Sequence, residues 1–152
     1  MRSISGRHDR GASLVEFAFV MPFLLVLLIG IVEFGWIFAT NLDVKHGARE
    51  GARITAVNEP SGGNANLAAE ICSRMDLAGS APTSIIWQGL ELNGDPDIGV
   101  GDGVQVTVDT NELNTLTGFL DWAFSGTTEL NSTVEIRIEQ EPDFTNGAVT
   151  CP

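Results

Sequence analysis

Phe17 to Trp36 is a 20-residue run that carries one charge, Glu33, close to its end. As an α-helix it is about 30 Å long, the thickness of the hydrocarbon core of a bilayer. A soluble helix of that length keeps a polar stripe toward water, and Met21–Ile31 has none. The run therefore reads as a single transmembrane helix. In a chain of 152 residues it leaves room for a short segment before it and one small domain after it. Trp36 and Phe38 stand where aromatic side chains mark a membrane–water interface. Pro22 removes one backbone hydrogen bond and is expected to kink the helix near Ala18–Pro22.

Helical periodicity continues past the apolar run. Lys45, Arg49 and Arg53 recur every four residues and form a basic stripe. Gly47, Ala48, Gly51, Ala52 and Ala56 form a ridge of small residues beside it, along which a second helix or a sheet can approach closely. A solvated basic stripe on an ordinary Ala-rich helix explains the same residues. The helix is expected to end near Asn58-Glu59-Pro60, giving one rod of about 45 residues, half in lipid and half outside.

Charge is unevenly spread. The net charge is -12, and residues 43–152 hold 17 of the 20 acids against five bases. Such an acidic domain repels phosphate backbones, so no nucleic-acid partner is expected. The bases Arg2, Arg7 and Arg10 precede the span, while Lys45, Arg49 and Arg53 follow it, so the positive-inside count is nearly balanced.

At the start of the run the sequence reads Arg10-Gly-Ala-Ser-Leu-Val-Glu-Phe. Glu16, five residues after Gly11, is a carboxylate at the membrane border and wants a partner, since mid-membrane placement would cost about 2.5–3.5 kcal/mol on insertion scales. Ser13-Leu14-Val15-Glu16 also fits a capping box, which would satisfy the first amides of a helix starting at Ala12 or Ser13 with no further role. Gly11 followed by Glu16 and an apolar helix resembles a type IV prepilin cleavage site. Residues 10–25, then Gly30-Ile-Val-Glu-Phe-Gly, then Ala48-Arg-Glu-Gly-Ala-Arg, three blocks in order, resemble the TadE-like family, minor pseudopilins of the tight-adherence pilus system. The likeness covers about a third of the chain. More weakly, Gly101–Val108 and Ser132–Glu139 resemble the family's late strands.

The resemblance implies cleavage after Gly11 by a prepilin peptidase, leaving Ala12 as the new N-terminus. Glu16 becomes the recognition and assembly carboxylate, able to pair with the Ala12 amine of a neighbouring subunit. It implies a cytoplasmic N-terminus, a C-terminal domain outside the cytoplasmic membrane, and as partners the bilayer, the peptidase, other pilin-like subunits and the Tad assembly platform. Glu33 reads either as an interfacial residue reaching water past Trp36 or, with Gly47 and Gly51, as a contact to a partner helix. The expected parts are a basic leader (1–11), a transmembrane and extended helix (12–58) and an extracytoplasmic α+β domain (59–152).

In that domain Asn64–Leu77 reads as a short helix, with Leu67, Ile71 and Met75 on one face and a Glu70–Arg74 pair. Ser84–Leu92 reads as a strand. Val104, Val106 and Val108 alternate with polar residues, as do Val134, Ile136 and Ile138. Leu113, Leu116, Leu120 and Phe124 suggest a short amphipathic helix. The expected fold class is α+β: a long transmembrane helix continuing into a small pilin-like domain, with an antiparallel sheet of about three strands on its outer half. Cys72 and Cys151 have no CxxC spacing; in an oxidising compartment they can pair, and two free thiols is the alternative. The acid-rich loop around Asp95 fails the calcium-loop pattern, because Val106 stands where a bidentate Glu is required. It reads as a Gly/Asp turn more readily than as a calcium site.

No metal or cofactor is expected, and no enzymatic activity: the only histidines, His8 and His46, lie in the leader and beside the membrane, and the Asp95/Asp97 pair has no cleft pattern around it. A membrane-anchored binding module outside any pilus is the competing functional reading. A conventional signal peptide cut near Ala39 is disfavoured by Glu33 in the apolar region.

Overall fold

The computed structural model describes residues 8–76, 83–94, 97–110, 116–118 and 129–151. Helix α1 runs from His8 to Ala56, 49 residues, and stays helical through Pro22. It ends where the sequence changes from apolar to turn-forming residues. Asn58 takes the left-handed conformation (φ 48°). Its N–H and that of Glu59 donate to the carbonyls of Thr55 and Ile54 at 3.1 Å each, so the last turn closes in a Schellman motif, with Pro60 blocking continuation. After the turn comes α2 (Asn64–Ser73), whose Leu67, Ala68 and Ile71 are buried.

Four strands follow: β1 (Thr83–Leu90), β2 (Gly103–Thr110), β3 (Leu130–Arg137) and β4 (Gly147–Thr150). They form one antiparallel sheet in the order β3-β2-β1-β4. The three expected strands are present, and a fourth, β4, pairs with Ser84–Trp87 on the far side of β1. Only four residues long, Gly-Ala-Val-Thr shows too little alternation to be read as a strand from sequence. The α+β class stands; among the described residues the sheet has four strands where about three are expected. The amphipathic helix expected from Leu113 to Phe124 lies mostly outside the described residues; the three described, 116–118, form a bend.

The pleat turns Ile85 and Trp87 of β1 and Val104, Val106 and Val108 of β2 inward, all at most 1% exposed. They pack on Val44, Ala48, Ala52 and Ile54 of α1 and on Leu67, Ile71 and Met75. Trp87 fills the centre, and its Nε1 donates to Thr55 Oγ1 at 3.1 Å, satisfying the one polar atom of a large buried ring. On the outer face Gln105 Nε2 donates to Glu135 at 2.8 Å and Thr107 meets Thr133 at 2.9 Å, so that face is polar.

Cys72, at the end of α2, and Cys151, just past β4, form a disulfide with Cα atoms 5.7 Å apart. The segment between β3 and β4 is stitched to the α1–α2 turn. Glu139 N–H donates to Ala56 O at 2.9 Å, and Asn64 and Thr145 bond reciprocally at 2.8 and 2.9 Å.

Candidate functional site: the membrane anchor and its border residues

The anchor half of α1 has no cover. Every residue from Gly11 to Leu28 is exposed, including Phe17, Phe19 and Phe23 at 58, 73 and 77%. The helix contains a window of mean hydropathy 2.6, none of it buried. A soluble core helix with this composition would be covered by its own protein. This one is long and apolar enough to cross a bilayer once, and its large side chains are free on all sides.

Gly11 and Ala12 lie inside the helix, because α1 already includes His8. A Cβ added at Gly11 meets nothing within 4 Å, so packing within the chain does not require a glycine there. Helix start at Ala12 or Ser13 is therefore corrected for the intact chain. Amides after Ser13 already have carbonyl partners one turn back, and the Ser13–Glu16 box caps nothing. Glu16 is exposed on the bare surface.

Glu33 is the unusual residue. It is fully buried, at the head of a buried stripe that continues through Thr40, Val44, Ala48, Ala52 and Ala56. Its carboxylate accepts from the backbone N–H of Leu116 at 2.9 Å and of Thr117 at 2.7 Å. The Thr117 hydroxyl donates to the same carboxylate. Three donors to one carboxylate supply in the protein what water would supply outside it. The interfacial reading of Glu33 is corrected: buried against Leu116 and Thr117, its carboxylate reaches no water past Trp36.

The small-residue ridge is also used within the chain. A Cβ at Gly47 would collide with Met75, and one at Gly51 would stand 2.9 Å from Ile71 Cδ1 and 3.4 Å from Val106 Cγ1. The small-residue ridge is thus covered within the chain by α2, by Met75 just past it and by β2. Lys45, Arg49 and Arg53 are exposed, a solvated stripe. At the domain end of α1, a groove is lined by Glu59 and by Glu50, Arg53, Glu70 and Arg74, which pair among themselves. Arg74 bonds Glu70 at 2.6 Å and also Glu50.

In the β1–β2 connection Asp102 is a structural carboxylate that the sequence reading did not single out. Buried, it accepts from Leu92 N–H and Gly99 N–H at 3.0 Å each and from Asn93 Nδ2 at 3.3 Å. These backbone donors, Leu92 first, hold its carboxyl below the usual range, and the nearby Arg137 charge adds to them. Asp95 lies outside the described residues. Among the described residues no three His, Cys, Asp or Glu side chains converge on a point that could hold a metal ion.

Sequence reasoning missed the Glu33–Thr117 contact, which joins residues 84 positions apart. The available signal was Glu33 itself, since a carboxylate in an apolar run demands donors. Nothing in local spacing says where those donors come from.

The profile of the family described as TadE-like protein matches residues 11–53. That stretch is nearly all of α1, from the glycine at the border to the last basic residue of the stripe, and includes none of the sheet. Over that stretch the chain is similar to TadE-like proteins, in the region that carries its three sequence blocks. No curated protein and no solved structure matches the chain.

Proposed function

We propose, with the similarity of residues 11–53 to TadE-like proteins as premise, that this chain is a membrane-anchored minor pseudopilin that takes part in building a tight-adherence pilus. A prepilin peptidase cuts after Gly11, and Ala12 becomes the N-terminus. The helix stays in the cytoplasmic membrane with the sheet domain outside, until assembly draws it among other pilin-like subunits. Glu16 then pairs with a neighbour's Ala12 amine. The protein acts by assembly and not by catalysis.

The observation that carries this reading is the uncovered half of α1 from Gly11 to Leu28, apolar apart from Ser13 and Glu16 near its start. Such a surface is built for lipid or for other helices. The open space around Gly11 fits a glycine kept for an outside agent, since the fold has no use for it. The buried Glu33 counts against loss of the anchor as a signal peptide: a cut near Ala39 would discard Glu33 and strip Leu116 and Thr117 of their acceptor.

N-terminal sequencing of the protein from membranes tests the reading. The expected first residue is Ala12, and Gly11 replaced by a bulky residue should leave an uncut but inserted chain. A start at Thr40, or normal processing of the Gly11 variant, would overturn it.

A further inference from the structure

Glu33 lies where the bare half of α1 meets the domain. Below it, exposure is complete from Gly11 to Leu28; above it, one face is buried as far as Ala56. The segment that covers Glu33, Leu116–Gly118, is an irregular bend and is itself exposed. Irregular backbone open to lipid does not occur in hydrocarbon, because nothing there satisfies its polar groups. The outer edge of the hydrocarbon must therefore fall at or below Glu33. Counting inward from Val32, the 21 residues to Ala12 make a helix of about 31 Å, matching the apolar core. Among the described residues, the exposed side chains at and just beyond Glu33 include Phe34, Phe38 and Leu116, at 47, 68 and 52%. Apolar side chains at that level favour the headgroup boundary.

We propose that Glu33 is the depth stop of the anchor: by gripping the 116–118 bend, it seats that bend on the phospholipid headgroup layer and sets Ala12–Val32 as the segment in hydrocarbon. This rests on the membrane-anchor reading and adds a lipid-facing surface that the helix alone does not provide. It also moves the frame. A span of Phe17–Trp36, read from hydropathy, immerses Glu33 and leaves Glu16 outside. The frame set by the bend leaves Glu33 at the surface and puts Glu16 four residues, about 6 Å, inside the opposite boundary. In that position the carboxylate has little water to solvate it, and a partner cation becomes a requirement.

Site-directed spin labelling of the full chain in phosphatidylcholine–phosphatidylglycerol vesicles tests this, with the native disulfide intact. One added cysteine at a time carries the label, at Val15, Leu28, Val100 or Leu116. Collision with oxygen reports lipid, and collision with a water-soluble nickel chelate reports water. The expected result is lipid at 15 and 28, water at 100, and an intermediate value at 116. Glu33→Leu should raise nickel access at 116 several-fold, toward the value at 100, with the disulfide still formed. Should Glu33→Leu not accumulate, Thr117→Ala keeps both backbone donors, loses the hydroxyl, and should raise access in the same direction by less. Position 116 reading as wet as 100 in the parent chain, or unmoved by the variant that accumulates, overturns the depth stop while the anchor stands. Water at position 28 overturns the anchor itself.

Discussion

From Gly11 to Leu28 every residue of α1 is exposed, whereas from Glu33 to Ala56 one face of the same helix is buried. The two halves differ in what fills their surfaces. The first carries Phe, Leu, Val and Met on every side, with Ser13 and Glu16 near its start. The second buries Thr40, Gly47, Ala48, Gly51, Ala52 and Thr55, residues of low bulk or mixed polarity. Hydropathy alone would rank the first half as the core and the second as surface, and the arrangement is the reverse. The outer half is buried because its small side chains let α2 and β2 come close. The inner half is bare because its solvent is lipid, where large apolar side chains need no cover.

If this contrast is right, the stability of the protein outside the membrane belongs to the outer half and what packs on it. The largest expected effect follows from Cys72–Cys151, which closes a 79-residue separation across α2 and β4. Reduction should cost about 4.5 kcal/mol on the loop-entropy estimate. Urea unfolding with and without reductant, followed by near-ultraviolet circular dichroism that senses Trp87, should show the midpoint fall. The far-ultraviolet signal of the inner helix should persist. An unchanged midpoint would place the stability of the domain in packing alone.

Next in size is a paired substitution, one in each half. Gly51→Leu drives a side chain into Ile71 and Val106 and should cost about 1–3 kcal/mol or more. Leu28→Ala removes more apolar surface but lies in the bare half, so the domain's midpoint should stay within about 0.5 kcal/mol. Equal effects would erase the distinction between the halves.

What the sequence made legible follows the same division. The apolar run, the late strands and the Glu70–Arg74 pair depend on patterns within a few residues, and each is found. The Gly47–Gly51 ridge was visible as a close-approach surface, but a pattern on one helix cannot name its partner, and the partner is the chain's own domain. The Glu33 grip and β4 depend on contacts between residues 84 and about 60 positions apart. Asp102 was passed over for Asp95 and Asp97 because its importance comes from three donors brought round by a turn.

A smaller effect separates two buried carboxylate acceptors, Asp102 in the domain and Glu33 at its membrane border. The Asp102 carboxyl titrates below its unfolded value of about 3.9. Its stabilisation is therefore complete above that pH and is lost as pH falls through the folded value. Asp102→Asn should lower the urea midpoint at neutral pH and flatten its decline in acid. A decline as steep as in the parent would mean that other carboxylates govern acid unfolding.

The smallest expected effect on folding belongs to Glu16→Gln, and here a null result in stability is what carries information. Glu16 is exposed on the half that the domain does not touch, so the domain's midpoint should not change. In the intact helix Glu16 caps nothing. If cleavage after Gly11 makes Ser13 a first-turn residue, Gln serves a capping box as Glu does. The substitution removes only the negative charge, and it eases insertion because a neutral amide costs less in hydrocarbon than a carboxylate. Membrane level and N-terminus should match the parent. Surface fibres, and co-isolation with pilin-like partners, should be lost, because the Ala12 amine of a neighbour then finds no counter-charge in a layer that cannot solvate it. Comparing membrane level, N-terminus and fibres in parent and variant makes the distinction. Fibres at the parental level would show that the bare half assembles by apolar packing alone, with no ion pair at its base.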